Sequence, residues 1–148
     1  ASEDAIFGEP ELKFGAGIVT MLLPWFTSPK RAKDIILTGQ DRIDASTALS
    51  AGLVSRVVAT GRHLEVALSI AKGIALVDPV VVSATKKALN ESYEIQGIQK
   101  ALKNALDIDH GIESVGSPDK KAFMEIARER GMREAIVWRD ARFAKAQE

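Results

Sequence analysis

The uneven distribution of strand and helix signals is the feature that most limits how this chain can fold. Strand-like sequence is confined to residues 1–60, where it amounts to one or two short segments. Apolar residues at helical spacing run through residues 61–148. A lone pair of strands is only marginally stable in water, so we expect its hydrogen-bonding partners to come from preceding sequence or from another chain.

Composition excludes several classes of protein. The chain has 148 residues, with 20 Lys and Arg balanced by 20 Asp and Glu, so no basic field is expected to attract nucleic acid or an anionic membrane. The absence of cysteine excludes a disulfide framework, a thiolate metal site and a cysteine nucleophile. The longest apolar run, residues 18–26, is interrupted by Pro24 and is too short to span a bilayer. With no export signal recognised, we expect a cytoplasmic protein.

Capping residues predict where the helices begin and end. Ser28 with Pro29 predicts a helix start, and Gly39 its end. Asp44 is expected to cap a short helix that stops near Gly52, before a strand at residues 54–58. Later helices are predicted over residues 64–75, 79–89, 95–108, 118–131 and from 132 onward.

The segment FGEPELKFGAG, residues 7–17, carries two acids among apolar neighbours. The X-Pro pair favours extended backbone, which would direct Phe7, Glu9 and Glu11 to one side. One interpretation is that both acids are solvated at a strand end. In the other, one acid lies among apolar side chains that raise its pKa, so that it both donates and accepts a proton near neutral pH.

Other candidate motifs are weak. His63 lies at a helix start, and His110 follows Asp107 and Asp109 on what looks like a polar helix face. A second histidine is missing from that cluster, so no metal site is expected. The chain lacks a dinucleotide fingerprint, a phosphate-binding loop and a Gly-x-Ser-x-Gly elbow.

Four segments, in order, resemble one protein family. ASEDAIFGEPELKFG resembles the stretch of enoyl-CoA hydratase/isomerase (crotonase) proteins that carries their second active-site glutamate. IILTGQDRIDASTALSAGLVSRVV is similar to the family's Leu-Thr-Gly, Ile-x-Ala and Ala-x-x-x-Gly-Leu-Val segment, which is the most specific part. DPVVVSATKKALNES and GMREAIVWRDARF are similar to later helices, so the resemblance covers almost the whole chain.

The resemblance implies an α/β fold, the crotonase-like ββα spiral, of which this chain is mostly the helical C-terminal part. Residues 1–60 would then end the ββα core, and residues 61–148 would form the helical trimerisation region of a trimer or hexamer. The family's oxyanion hole and first glutamate match no residue here. We therefore expect the chain to work with a missing N-terminal half of the same protein.

The same resemblance implies an enzyme acting on acyl-CoA thioesters, as in fatty acid metabolism. Glu11 matches the glutamate that exchanges a proton with the substrate carbon, whereas Glu9 does not. No metal is expected, and no cofactor beyond the coenzyme A of the substrate. The predicted substrate-binding residues are Phe14, Gly15, Gly17, Trp138 and Phe143.

Three functions stay open at this point. The main expectation is hydration of the 2,3 double bond of an enoyl-CoA. The loop FGAGIVTMLLPW is shorter than the hydratase pattern and lacks its Gly-Gly-Thr-Gln-Arg run, which favours the alternative of an enoyl-CoA isomerase or another crotonase reaction. The third possibility is a non-catalytic helical assembly module.

Overall fold

The computed structural model describes residues 1–17 and 21–144. The predicted loop FGAGIVTMLLPW includes residues 18–20, which lie outside this part. Two short strands are present, β1 (Ile6–Phe7) and β2 (Ile43–Asp44), and Glu11–Phe14 forms a 3₁₀ helix. The α-helices are α1 (Leu23–Phe26), α2 (Pro29–Thr38), α3 (Ala45–Ser50), α4 (His63–Ile74), α5 (Pro79–Gln96), α6 (Ile98–Val115), α7 (Pro118–Arg130) and α8 (Met132–Ala144).

A small apolar core organises the first part of the chain. Strand β1 pairs antiparallel with β2, with Ile6 opposite Asp44 and Phe7 opposite Ile43. The core beneath them consists of Leu23, Ala32, Ile35, Ile36, Ile43 and Ala48. Leu12 of the 3₁₀ helix packs against this core. The core therefore fixes one side of the segment that carries Glu11.

Side-chain caps confirm three of the predicted helix starts. In α2, α3 and α7, the capping oxygen accepts a hydrogen bond from the backbone N–H three residues later. The caps are Ser28 at 3.3 Å, Asp44 at 2.6 Å and Ser117 at 3.1 Å. These helices start where predicted because a cap is a local interaction.

Two expectations about extended backbone were wrong. The chain leaves the extended conformation at Pro10, where φ is −83° and ψ is 2°, and Glu11 begins the 3₁₀ helix. The predicted strand at residues 54–58 is also not formed, and its pairing is limited to a single parallel bridge between Val58 and Ser2. No other described strand lies beside it, so its remaining backbone groups have no ladder to join.

The helical region differs from prediction at the ends of two helices, one of which is α6, which continues to Val115 and not only to residue 108. Helix α5 continues to Gln96, well beyond the predicted end near residue 89. It stops at Gly97, whose φ of 95° favours glycine, and Ile95 consequently belongs to α5 and not to the next helix. The assignment of residues 1–60 and 61–148 to separate regions stays a prediction.

Helices α4 and α5 bury almost nothing within this chain. Between residues 61 and 96, Val66 and Val82 are the only side chains that are not exposed. Large apolar side chains are left open, including Leu76, which is 90% exposed. No described helix is by itself long and apolar enough to cross a membrane; α4 and α5 meet that criterion only as a pair, bent by 112°.

The beginning of α7 contacts the segment that follows Glu11. The Ser117 hydroxyl donates a hydrogen bond of 2.7 Å to the carbonyl oxygen of Gly15. Further along α7, the ring centroid of Phe123 lies 5.4 Å from that of Phe14. Ser117 thus joins two regions that are 102 residues apart in the sequence.

We expect Ser117→Ala to destabilise the protein more than Ser28→Ala does. Both substitutions remove a helix cap next to a proline, worth about 1 kcal/mol. Only Ser117 also bonds to a distant carbonyl, which adds about 1 kcal/mol to the loss. Free energies of unfolding from urea titration measure the difference, and equal losses would contradict the role given to the Gly15 contact.

Candidate active site

Two acids lie side by side at the start of the 3₁₀ helix. Glu9 and Glu11 flank Pro10, and we call them the acid pair. Oε2 of Glu11 is buried and has no hydrogen-bond partner among the described residues. Burial raises the pKa of Glu9 above its ordinary value of 4.5, and the charge of Glu11 and the hydrogen bond to it raise it further. Glu9 therefore keeps its proton to a higher pH than a solvated glutamate does.

The cations near the 3₁₀ helix pair with other acids. The Lys13 ammonium lies 3.4 Å from one carboxylate oxygen of Asp41, and the Arg139 guanidinium lies 3.4 Å from the other. Throughout residues 1–17 and 21–144, no Lys or Arg forms an ion pair with either member of the acid pair. The negative charge of the pair is therefore not neutralised by this part of the chain.

An apolar cavity of about 480 Å³ opens beside this segment. One wall comes from Leu12, which directly follows Glu11, and from residues 15–17 and Met21. The opposite wall is a face of α6, comprising Ala101, Asn104, Ala105, Ile108, Asp109 and Ile112. Its size lies in the range of small-ligand sites, and its lining suits a hydrocarbon chain.

Glycines 15 and 17 make the close contact between the two walls possible. Gly15 has a φ of 72°, and a Cβ atom there would lie 2.7 Å from the Lys120 nitrogen. A Cβ atom on Gly17 would collide with a carboxylate oxygen of Asp109. The Gly17 N–H donates a 2.8 Å hydrogen bond to Oε1 of Glu113, which also pairs with Lys120. Both glycines are thus required by packing against α6 and α7.

Asp109 and Glu113 were not recognised as site residues from the sequence. Asp109 was placed on a polar face with Asp107 and His110, but it packs against Gly17, and its Oδ1 is buried without a partner. Asp107 points away and pairs with Lys103 at 2.9 Å. The signal in the sequence is the spacing of four between Asp109 and Glu113, which puts both acids on the apolar face of α6.

The other predicted site residues divide into two groups. Gly15 and Gly17 line the cavity, although their N–H groups already donate to the Leu12 carbonyl, at 3.2 Å, and to Glu113. Phe14, Trp138 and Phe143 are partly buried but do not line it. Their rings pack under arginines, with Arg139 5.9 Å from the Phe14 ring and Arg142 4.8 Å and 6.0 Å from Trp138 and Phe143. Contact of these residues with substrate stays a prediction.

Within the described residues, no group of three or more histidines, aspartates and glutamates is arranged to hold a metal ion.

The family model for enoyl-CoA hydratase/isomerase matches residues 1–125. The chain belongs to the enoyl-CoA hydratase/isomerase family. A crystal structure of a family member from Xanthobacter autotrophicus Py2, an enoyl-CoA hydratase/isomerase, has 58% sequence identity and a TM-score of 0.93. The match covers 97% of this chain and 53% of that one, and it confirms the crotonase fold class.

Curated relatives that are similar to this chain are named as hydratases of CoA thioesters. The "Probable enoyl-CoA hydratase, mitochondrial" of Dictyostelium discoideum is 34% identical over 128 residues, which are 84% of this chain and 44% of the relative. The 2,3-dehydroadipyl-CoA hydratase of Escherichia coli is 36% identical over 99 residues, 64% of this chain and 38% of the relative. The chain thus spans less than half the length of these curated relatives and matches the C-terminal part of its homologues.

We expect Glu9 to make the folded state less stable as the pH rises. Because the pKa of Glu9 is raised on folding, its favourable contribution is complete below about 4.5, the value for an exposed glutamate, and is lost as the pH rises through the folded-state pKa. Replacing Glu9 by Gln removes this dependence, so the variant gains stability relative to the wild type as the pH rises. Urea midpoints measured across this pH range test the prediction, with the exposed-site variant Glu125→Gln as the control. Parallel curves for wild type and Glu9→Gln would contradict it.

We expect Gly17→Ala to destabilise the protein and Asp109→Ala to compensate. The added methyl group collides with the Asp109 carboxylate, at a cost of about 1–3 kcal/mol. Asp109→Ala alone should be neutral or stabilising, because it removes a buried oxygen that has no partner. In a double-mutant cycle based on free energies of unfolding, the double variant should recover most of the loss; simple additivity would disprove the contact.

Proposed function

We propose that the protein is an acyl-CoA enzyme of the enoyl-CoA hydratase type, which adds water across the 2,3 double bond of an enoyl thioester. The observation that supports this most directly is the buried, unpartnered Oε2 of Glu11, in the residue that precedes Leu12 of the cavity wall, in a chain of this family. In this proposal Glu11 exchanges a proton with the carbon next to the thioester. The cavity between residues 12–17 and α6 receives the hydrocarbon part of the acyl group.

The chemistry needs a carboxyl group that can both hold and release a proton. In hydration, the water oxygen bonds to the third carbon of the acyl chain, and a proton is added to the second. Glu11 supplies that proton. The reacting water releases a proton when its oxygen bonds to the acyl chain, and this proton restores the acid form of Glu11. An acid whose carboxyl oxygen is shielded from solvent and lies beside a second carboxyl group is suited to this role.

The proposal includes two kinds of partner outside this chain: the N-terminal half of the same protein and further subunits. Because the match is to the C-terminal part of homologues, we propose that the oxyanion hole and a second acid come from sequence corresponding to their N-terminal half. The uncovered apolar surfaces of α4 and α5 favour assembly into a trimer or hexamer. A cytoplasmic location, and the lack of any cofactor beyond the coenzyme A of the substrate, belong to the proposal and depend on the sequence alone.

Isomerisation is the second candidate, and one contact favours it. The N–H of Gly17 is already bonded to Glu113 and so is not free to hold a water molecule. An isomerase moves a proton between two carbons of the acyl chain and adds no water. Glu11 would then remove the proton from one carbon and return it to another, with the same need for a shielded carboxyl group.

We expect Glu11→Gln, made in the complete protein, to lower kcat by a factor of at least about 100, the usual contribution of a general acid–base group. The amide has nearly the same shape but carries no transferable proton. Hydration is followed by the loss of the conjugated enoyl-thioester absorbance, and circular dichroism checks that the variant is folded. Glu125→Gln, at an exposed position on α7, is the matched control and should keep full activity.

The substrate decides between the candidates. Water addition to a 2-enoyl thioester supports the hydratase, whereas conversion of a 3-enoyl to a 2-enoyl thioester without water addition supports the isomerase. A fully active Glu11→Gln variant would reject both proposals. A wild-type protein that turns over neither thioester would favour the non-catalytic assembly module.

A further inference from the structure

We infer that Asp109 is a specificity-determining residue, which selects acyl groups that carry a hydroxyl group on the part of the chain that enters the cavity. The inference rests on the proposed function, in which the cavity between residues 12–17 and α6 receives the hydrocarbon part of the acyl group. It assigns a class of substrate, a hydroxyacyl thioester, that the proposed function leaves open.

Asp109 lies where the two walls of the cavity meet. It is a lining residue on α6, and its Oδ1 lies against Gly17, a lining residue of the opposite wall. The contact is so close that a Cβ atom on Gly17 would collide with this oxygen. The Asp109 side chain is therefore turned toward the opposite wall and not toward solvent on the outer face of α6.

The described part of the chain leaves this side chain without a partner. Oδ1 is buried and accepts no hydrogen bond, and Asp109 takes part in no described ion pair. Two cations on α6 and α7 are engaged with neighbouring acids, since Lys103 lies 2.9 Å from Asp107 and Lys120 pairs with Glu113. The hydrogen-bonding capacity of Asp109 thus remains available to a ligand.

An acid in this position lowers the stability of the fold. Shielding a carboxylate oxygen from water without giving it a hydrogen bond is unfavourable. An alanine at residue 109 would continue the apolar wall and avoid that cost. A polar group that is present at the expense of stability is typical of a functional site.

The lining of the cavity indicates a hydroxyl group as the partner. Asn104 and Asp109 are the only described lining residues with polar side chains, and the others are leucine, isoleucine, methionine, alanine and glycine. A carboxylate only accepts hydrogen bonds, so the ligand must supply a donor. A hydroxyl group supplies one without bringing a second charge against hydrocarbon, where an ammonium group would lose its water in exchange for a single partner.

In this arrangement the acyl chain extends from the segment that carries Glu11 to the α6 wall. Its hydrocarbon part contacts apolar lining residues such as Leu12 and Ile108, and its hydroxyl group reaches Asp109. Selection then acts away from the reacting carbons. An acyl group without the hydroxyl would leave the carboxylate unpaired, which is the kind of loss that gives an enzyme strong discrimination.

The first test measures binding without turnover. Saturated acyl-CoA thioesters of several chain lengths, each with either a methyl or a hydroxyl end, are titrated into the complete protein by isothermal titration calorimetry. At the length that brings the hydroxyl group to Asp109, we expect the wild type to bind the hydroxyl form about tenfold more tightly, because the hydrogen bond is to a charged group. Asp109→Ala should lose this preference. Asp107→Ala, on the same helix but paired with Lys103, is the matched control and should keep it.

The second test isolates the charge. A thioester with a carboxylate end should bind weakly to the wild type, because Asp109 repels it. Asp109→Asn has nearly the same shape and no charge, so it should bind this thioester at least about tenfold more tightly than the wild type does, whereas Asp107→Asn should not. A residue that served packing alone would not distinguish the charge at the end of the ligand. This variant also decides the inference if Asp109→Ala fails to fold.

The outcomes separate the two proposals. The same end-group preference in the wild type and in both Asp109 variants would overturn the role of Asp109, and an inactive Glu11→Gln would leave the proposed function intact. An Asp109→Ala protein that is less stable but keeps the wild-type preference would also overturn it, because Asp109 would then pair with another part of the protein. A fully active Glu11→Gln would reject the proposed function, and the calorimetry would still report whether Asp109 selects the end group. A complete protein that binds none of the thioesters would reject both.

Discussion

The contact between the glycine segment at residues 15–17 and the junction of α6 with α7 is the constraint on which the candidate site depends. Ser117 holds the Gly15 carbonyl and Glu113 holds the Gly17 N–H, across 102 and 96 residues of sequence. On its other side the 3₁₀ helix is held by Leu12 in the apolar core. Glu11 therefore lies between two anchors that come from opposite ends of the chain. Its environment exists only when both parts of the chain are folded together.

Features set by neighbours in the sequence were predictable. The starts of α2, α3 and α7 follow from one polar side chain each, because a cap acts within its own first turn. Pairing between distant segments was not predictable to the same degree. Residues 54–58 have the alternation of a strand, but a strand also requires a neighbouring strand to pair with, and in the described structure only Val58 of this segment forms a β-bridge. Likewise, the turn at Pro10 depends on contacts of the 3₁₀ helix with the core, which no local pattern indicates.

The candidate site was predictable in part for the same reason. Resemblance to the family singled out Glu11, and the structure places it in an acid pair. The sequence could state that one of two acids would have a raised pKa, but not that Glu9 would be affected. That outcome depends on burial and on the distance between two side chains. Asp109 was misassigned because its sequence neighbours are polar, although its position on α6 turns it toward Gly17.

Helices α4 and α5 have a consequence for how this protein responds to dilution. Nearly all of their side chains lie open in the chain itself, so little of the free energy that orders them comes from within it. A helix that is stabilised mainly by an intermolecular or interdomain surface obeys mass action, and its population rises with the concentration of whatever covers it. Helicity in this stretch and the degree of association should then be two measures of a single equilibrium.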